Sequence, residues 1–137
     1  MADHSAQQVV DTVAWVLIED GRILCGRPRG KDVFFIPGGK REPGETDTET
    51  LVREVAEELS VAIDPESAAH VGTYAAPVPG HDNLIVTMAC YTADYRGVLT
   101  ASSEIEALAW FSLADRDRVP PVDQLLFDDL AAAGLLR

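Results

Sequence analysis

The chain has 137 residues, of which 47% are hydrophobic and 25% charged, and it carries a formal net charge of −12. That length suits one domain around one core, and the hydrophobic share excludes disorder as the main state. So acidic a chain disfavours nucleic acid and anionic membrane as partners, because both select a basic face. No apolar run reaches the roughly 18 residues that a membrane span needs, and no basic-then-apolar leader opens the sequence. Cys25 and Cys90 each sit in an apolar stretch, so a reduced cytoplasmic setting is expected rather than a disulfide framework or a CxxC metal clip. A phosphate-bearing ligand would need local neutralisation by arginines or a divalent metal.

Residues 1–8 are polar and are expected to form a flexible arm. Residues 9–19 read as a largely buried strand, Asp20-Gly21 as a turn, and residues 22–27 as a second strand, together a β-hairpin. Residues 33–36 predict a short strand entering Gly38-Gly39, where the backbone must bend sharply or approach something closely. Thr46-Asp47-Thr48-Glu49 has the form of a capping box opening a helix over residues 46–60. Leu51, Val55 and Leu59 supply its apolar stripe. Further strands are predicted near residues 71–75, 84–93 and 108–111, with a loop at 77–83 and a turn at Arg96-Gly97. Pro120-Pro121 starts a last helix over residues 122–136, with Leu125, Leu126 and Leu130 as its buried stripe. The order predicts a mixed α/β sandwich, and the lack of GxGxxG and P-loop patterns argues against a Rossmann-type parallel sheet. His4, His70 and His81 show no metal spacing, no GxSxG nucleophile elbow occurs, and Trp15 and Trp110 read as core.

Glu54, Glu57 and Glu58 stand at i, i+3 and i+4, so they project from one face of the 46–60 helix. Like charges at i,i+4 cost about 0.2–0.5 kcal/mol per pair, and the C-terminal half of a helix is unfavourable for anions. Two readings account for the cluster: a solvated face with Arg53 nearby, or a hard divalent cation held by oxygen ligands. Spacing alone leaves both open.

From Gly39 the chain runs five residues to Glu45 and seven more to Arg53-Glu54-Val55-Ala56-Glu57-Glu58-Leu59-Ser60-Val61. This resembles the signature of the Nudix hydrolases, and every defined position matches except the last glycine, replaced by Ser60. The resemblance implies a Nudix-type α/β/α sandwich with a mixed sheet and two main helices. A single domain over residues 9–137 is expected. It also implies water attack on the phosphorus of a nucleoside diphosphate linked to another moiety, with Mg²⁺ or Mn²⁺ bound. Carried onto this chain, Glu57 and Glu58 would be metal ligands, with the Gly39 carbonyl a third. Glu54 would be a further ligand or the general base. Arg53 would orient the carboxylates, and Glu45 would be its partner or a neighbour of the metal. Glu104 or Glu106, ahead of Trp110-Phe111, would supply a further acid, Glu104 being favoured. Arg27, rather than Arg29, would contact phosphate by its resemblance to a strand-end arginine of MutT-like members.

Val119-Pro120-Pro121-Val122-Asp123 is similar to a MutT-type segment whose Asn bonds the purine edge, and Asp123 takes that place. An ionised Asp only accepts hydrogen bonds, so base preference would differ or Asp123 would bind protonated. Phe35 or Phe34 would stack on the base, since alternation sends one of the two to the core. The leading expectation is therefore a MutT-like nucleoside triphosphate pyrophosphohydrolase, with oxidised purine nucleotides among its substrates. An ADP-ribose pyrophosphatase is the alternative, because Pro77 lies sixteen residues past Val61. A non-catalytic nucleotide-binding module is a third reading, disfavoured by the complete acidic cluster. Monomer and homodimer are both compatible with the sequence.

Overall fold

The computed structural model describes residues 7–137. Most of the expected arm, and His4 with it, therefore lies outside the described residues, and Gln8 already belongs to the first strand. In chain order the elements are β1 (Gln8–Trp15), β2 (Ile18–Glu19), β3 (Arg22–Pro28) and β4 (Gly38–Lys40). Then come α1 (Asp47–Leu59), β5 (Ala62–Ile63), β6 (Ala69–Pro77), β7 (Leu84–Thr92), β8 (Tyr95–Arg96), β9 (Ile105–Phe111) and α2 (Pro121–Ala132). Two short 3₁₀ turns, Pro65–Ser67 and Leu113–Arg118, complete the chain. No helix among the described residues is long and apolar enough to cross a membrane.

The larger sheet has the order β4-β1-β7-β6, with β1 and β7 parallel and the other pairs antiparallel. A second sheet, β2-β3-β9, is antiparallel throughout, and β5 pairs with β8. Alternation along β1 feeds two cores. Val13 and Trp15 join Leu51, Val55 and Leu59 of α1 on one side. Ala14, on the opposite face, joins Leu126, Phe127 and Leu130 of α2 on the other. Leu51, Val55 and Leu59 are no more than 1% exposed, which makes the α1 stripe worth about 1.5–3 kcal/mol per side chain in burial. The Thr46 cap is fully made: Glu49 N–H donates to Thr46 Oγ1 at 3.1 Å, and Thr46 N–H to Glu49 Oε1 at 2.9 Å.

The structure departs from the sequence expectation at residues 9–19, at residues 33–40 and in α2. The strand at 9–19 is split, and only β2 and β3 form the hairpin, around Asp20 and Gly21 at φ 52° and 75°. β1 instead takes a central place between β4 and β7, with Val13, Ala14 and Trp15 buried at its C-terminal end. Residues 33–36 are no strand. Phe35 makes one bridge to Gly26, and extended pairing resumes at Gly38, opposite Ala14. Gly38 sits at φ 146°, and a Cβ there would lie 2.0 Å from the Val13 carbonyl oxygen, so the glycine admits close strand contact. Finally, α2 ends at Ala132, and Leu125 is 39% exposed. At about 100° per residue, Val122, Asp123, Leu126, Phe127 and Leu130 share one arc and Leu125 points away from it.

Candidate active site

The acidic face of α1 looks toward β4, and Arg53 organises it. Its guanidinium grips Glu45 with two bonds, Nε to Oε2 at 2.7 Å and Nη2 to Oε1 at 2.8 Å. The same group donates to Glu54 Oε2 at 2.9 Å and to the Lys40 carbonyl at 3.1 Å. Glu57 Oε1 stands 3.8 Å away on the exposed side. Glu45 also accepts from the buried Thr50 hydroxyl at 2.9 Å and from the Glu42 N–H at 2.9 Å. These bonds, Arg53 foremost, hold the Glu45 carboxyl down to about 2 and raise the Arg53 pKa further. The fork thus fixes the rotamers of the carboxylates around it, which a lysine would not do.

Glu58 has the opposite character. Burial pushes its carboxyl up to about 8, with the charges of Glu54, Glu57 and Glu104 adding to the shift. The Gly38 N–H opposes it, donating to Glu58 Oε1 at 3.1 Å. Glu54 is likewise raised, first by burial, while Arg53 pulls it back. Gly39 packs so tightly on Glu54 that a Cβ at that position would lie 1.7 Å from Glu54 Oε1. Glu104 stands on an exposed turn within electrostatic reach of Glu58, whereas Glu106 is committed to Arg27 at 2.7 Å. Glu54, Glu57, Glu58 and the Gly39 backbone are thus brought to one place, with Glu104 at its margin.

Beside this face opens a cavity of 390 Å³, within the usual range of about 300–1,000 Å³ for small-molecule sites. Glu58 and Gly39 mark one end of it. Its floor is the β1–β7 face, and the sequence reading missed residues such as Thr12, Val86 and Met88 that line it. Their period-two spacing was visible, but the parallel β1–β7 pairing that joins them was not. Phe35 lines the cavity, while Phe34 packs on Phe111 with ring centroids 4.7 Å apart, so the two neighbours do face opposite ways although no strand forms here. Asp123, 3% exposed, also lines it and accepts from the Ile36 N–H at 2.9 Å. Burial pushes its carboxyl up to about 7, against the pull of that N–H.

Arg27 is not brought to the cavity. It lies between Gly26 and Pro28, which do line the wall, and its guanidinium is held by Glu106 and the Lys31 carbonyl at 3.1 Å. Strand alternation explains the miss, because the side chain belongs to the opposite face of β3. His70 is a surface residue, its Nε2 2.8 Å from Thr73 Oγ1. Another ion-paired group escaped the sequence reading: Arg41 is gripped by Asp11 at 3.0 Å and by Asp47, tying β1 to the start of α1.

An α/β/α sandwich here sets an acidic, arginine-braced helix face beside an apolar cavity of small-molecule size, an arrangement suited to a hydrolase of phosphoric anhydrides. The NUDIX domain family model matches residues 8–130, and the chain belongs to the Nudix hydrolases, enzymes that act on nucleotide pyrophosphate bonds. It is 32% identical to a CTP pyrophosphohydrolase of Escherichia coli over 131 residues, covering 91% of this chain and 93% of that protein. It is 38% identical to an NAD-capped RNA hydrolase, NudC, of Pseudomonas entomophila over 74% of this chain, but spans only 35% of that longer protein. Among solved structures, the E. coli ORF135 protein aligns with a TM-score of 0.73 and 29% identity, covering 93% of this chain and 94% of that one. A MutT Nudix hydrolase from Burkholderia pseudomallei shares the fold at a TM-score of 0.67 and 24% identity, over 79% of this chain and 86% of that one.

Proposed function

We propose that this Nudix hydrolase cleaves a nucleoside triphosphate to the monophosphate and pyrophosphate, with a preference for a cytosine base. The observation that carries the base preference is Asp123, a carboxyl buried in the cavity wall whose proton is held to about 7. A neutral carboxylic acid donates and accepts side by side, which matches the ring nitrogen and amino group on the pairing edge of cytosine and equally those of adenine. The ionised form accepts only and suits the N–H-rich edge of guanine instead. Between cytosine and adenine, the near full-length likeness to a CTP pyrophosphohydrolase favours cytosine.

The residues of the acidic face fit a divalent metal. Glu54, Glu57, Glu58 and the Gly39 carbonyl are hard oxygen donors, suited to Mg²⁺ or Mn²⁺. The bare Gly39 leaves room for Glu54 where a Cβ would collide with it. Among the described residues no three such side chains already stand at ligand spacing, so holding a metal would draw these carboxylates closer together. When bound, the cation neutralises polyphosphate charge and acidifies the attacking water. Arg53 holds Glu54 in place, and Glu54 or Glu104 takes the proton from that water. Phe35 and the apolar floor exclude solvent around the base.

The test is product analysis and kcat/KM on CTP, dCTP, ATP, GTP, 8-oxo-dGTP, ADP-ribose and NAD⁺ with each metal. CTP or dCTP should give the highest kcat/KM and release pyrophosphate; turnover of ADP-ribose or NAD⁺ above every triphosphate would overturn the reading. The cytosine preference over GTP should fall as pH rises through about 7, the point at which Asp123 loses its proton. Asp123→Asn, which cannot ionise, should leave that ratio flat with pH.

A further inference from the structure

The last four carbonyls of a helix lack partners within it. At the end of α1 the Ser60 N–H meets the Ala56 carbonyl, and the other three are met by a segment far along the chain. Ser102 Oγ donates to the Glu57 carbonyl at 2.7 Å, Ser102 N–H to the Glu58 carbonyl at 2.9 Å, and Thr100 N–H to the Leu59 carbonyl at 3.0 Å. Ser60 Oγ then donates to Ser102 Oγ at 3.1 Å. Beyond Ser102 the chain turns tightly, with Ile105 N–H bonded to the Ser102 carbonyl at 3.1 Å and Ser103 at φ 57°. On the far side the Glu104 carbonyl accepts from the Arg29 N–H at 2.8 Å. Glu104 therefore sits between two anchored points, and one anchor is the very turn of α1 that carries Glu57 and Glu58.

We propose that Ser60 and Ser102 form a latch that holds the Glu104 turn against the acidic end of α1, making Ser102 a positioning residue for hydrolysis. The inference rests on the reading that Glu104 works at the acidic face. It also accounts for the one departure from the Nudix signature. Ser60 occupies the glycine position at φ 60°, a left-handed conformation that strains any residue with a Cβ. The strain is retained because the hydroxyl it brings is one member of the latch. Restoring glycine therefore relieves the backbone and loosens the turn at once, so stability and activity move in opposite directions.

The experiment uses the full chain and five proteins: wild type, Ser60→Gly, Ser102→Ala, Glu104→Gln and the Ser102→Ala/Glu104→Gln double variant. Ser102→Ala should lower kcat about tenfold with KM nearly unchanged, a modest displacement of a working carboxylate being enough for that. In the metal-free protein it should speed amide exchange at residues 102–105, a readout independent of turnover. Ser60→Gly should raise Tm while lowering kcat about twofold to threefold. In the Glu104→Gln background, Ser102→Ala should cost nothing further, because both act through the same carboxylate. If Glu104→Gln leaves kcat unchanged, the role of Glu104 falls and the latch loses its purpose. If Glu104→Gln lowers kcat but Ser102→Ala loses the same factor in both backgrounds, or in neither, the latch alone is overturned. Should Ser102→Ala fail to fold, the opposed shifts of Tm and kcat in Ser60→Gly decide, and a parallel shift rejects the latch.

Discussion

Glu58→Gln should cut metal-dependent turnover about 10²- to 10⁴-fold while leaving the fold intact. The amide is nearly isosteric, and its oxygen can still accept the Gly38 N–H that Glu58 holds at 3.1 Å. What it cannot supply is negative charge. The same substitution should stabilise the metal-free protein at alkaline pH. The Glu58 carboxyl is raised to about 8, so the folded state holds a proton that the unfolded chain releases near 4.5. The stability carried by that proton is complete below the unfolded value and is lost as pH rises through about 8. The amide has no charge to bury, so the Tm gain of Glu58→Gln should grow across that window. Glu57→Gln should lose turnover similarly without the Tm gain, because Glu57 is 55% exposed. Activity assays with Mg²⁺ and Mn²⁺, together with thermal melts in chelator, separate the effects. Full turnover in both variants would refute the metal assignment.

The adjacent glycines should separate function from folding. Gly39→Ala places a methyl 1.7 Å from Glu54 Oε1, the mobile end of a side chain, so the carboxylate moves and the backbone stays. Turnover should fall about a hundredfold, the scale of a misplaced catalytic group, with Tm changed little. Gly38→Ala meets the Val13 carbonyl oxygen at 2.0 Å, and that atom is backbone held in the β1–β4 ladder. Its φ of 146° is also closed to alanine. That variant should lose about 2–4 kcal/mol of stability, measurable by urea denaturation. Equal Tm losses in the two variants would show that Glu54 is not the group Gly39 accommodates.

The sequence made α1 readable because its signals are local. Thr46, Glu49 and the Leu51-Val55-Leu59 stripe act within a few turns of one another, and the structure shows both cap bonds and complete burial. β4 was illegible because two glycines carry no side-chain pattern, and its pairing depends on β1, more than twenty residues earlier. The same limit hid the cavity, whose floor exists only once β1 and β7 align in parallel. Arg53 and Glu45 were placed together by resemblance, and they meet in a two-pronged ion pair. Arg27 turns away from the cavity because its face of β3 and its partner Glu106 are set by pairing with β9. Asp123 carried a signal that was readable but unused: it falls in the middle of the α2 apolar arc, where an acid is out of place unless it has a task.

Glu45 keeps its charge down to about 2, far below the range in which Glu58 and Asp123 take up protons. Acidification therefore discharges Glu58 and Asp123 first and leaves the Arg53 brace standing. In the metal-free protein the acidic end of α1 thus loses charge while the ion pair that positions it stays intact. The frame around Glu45 and Arg53 therefore outlasts the charge of the face it braces, and the change in charge needs no refolding to reverse.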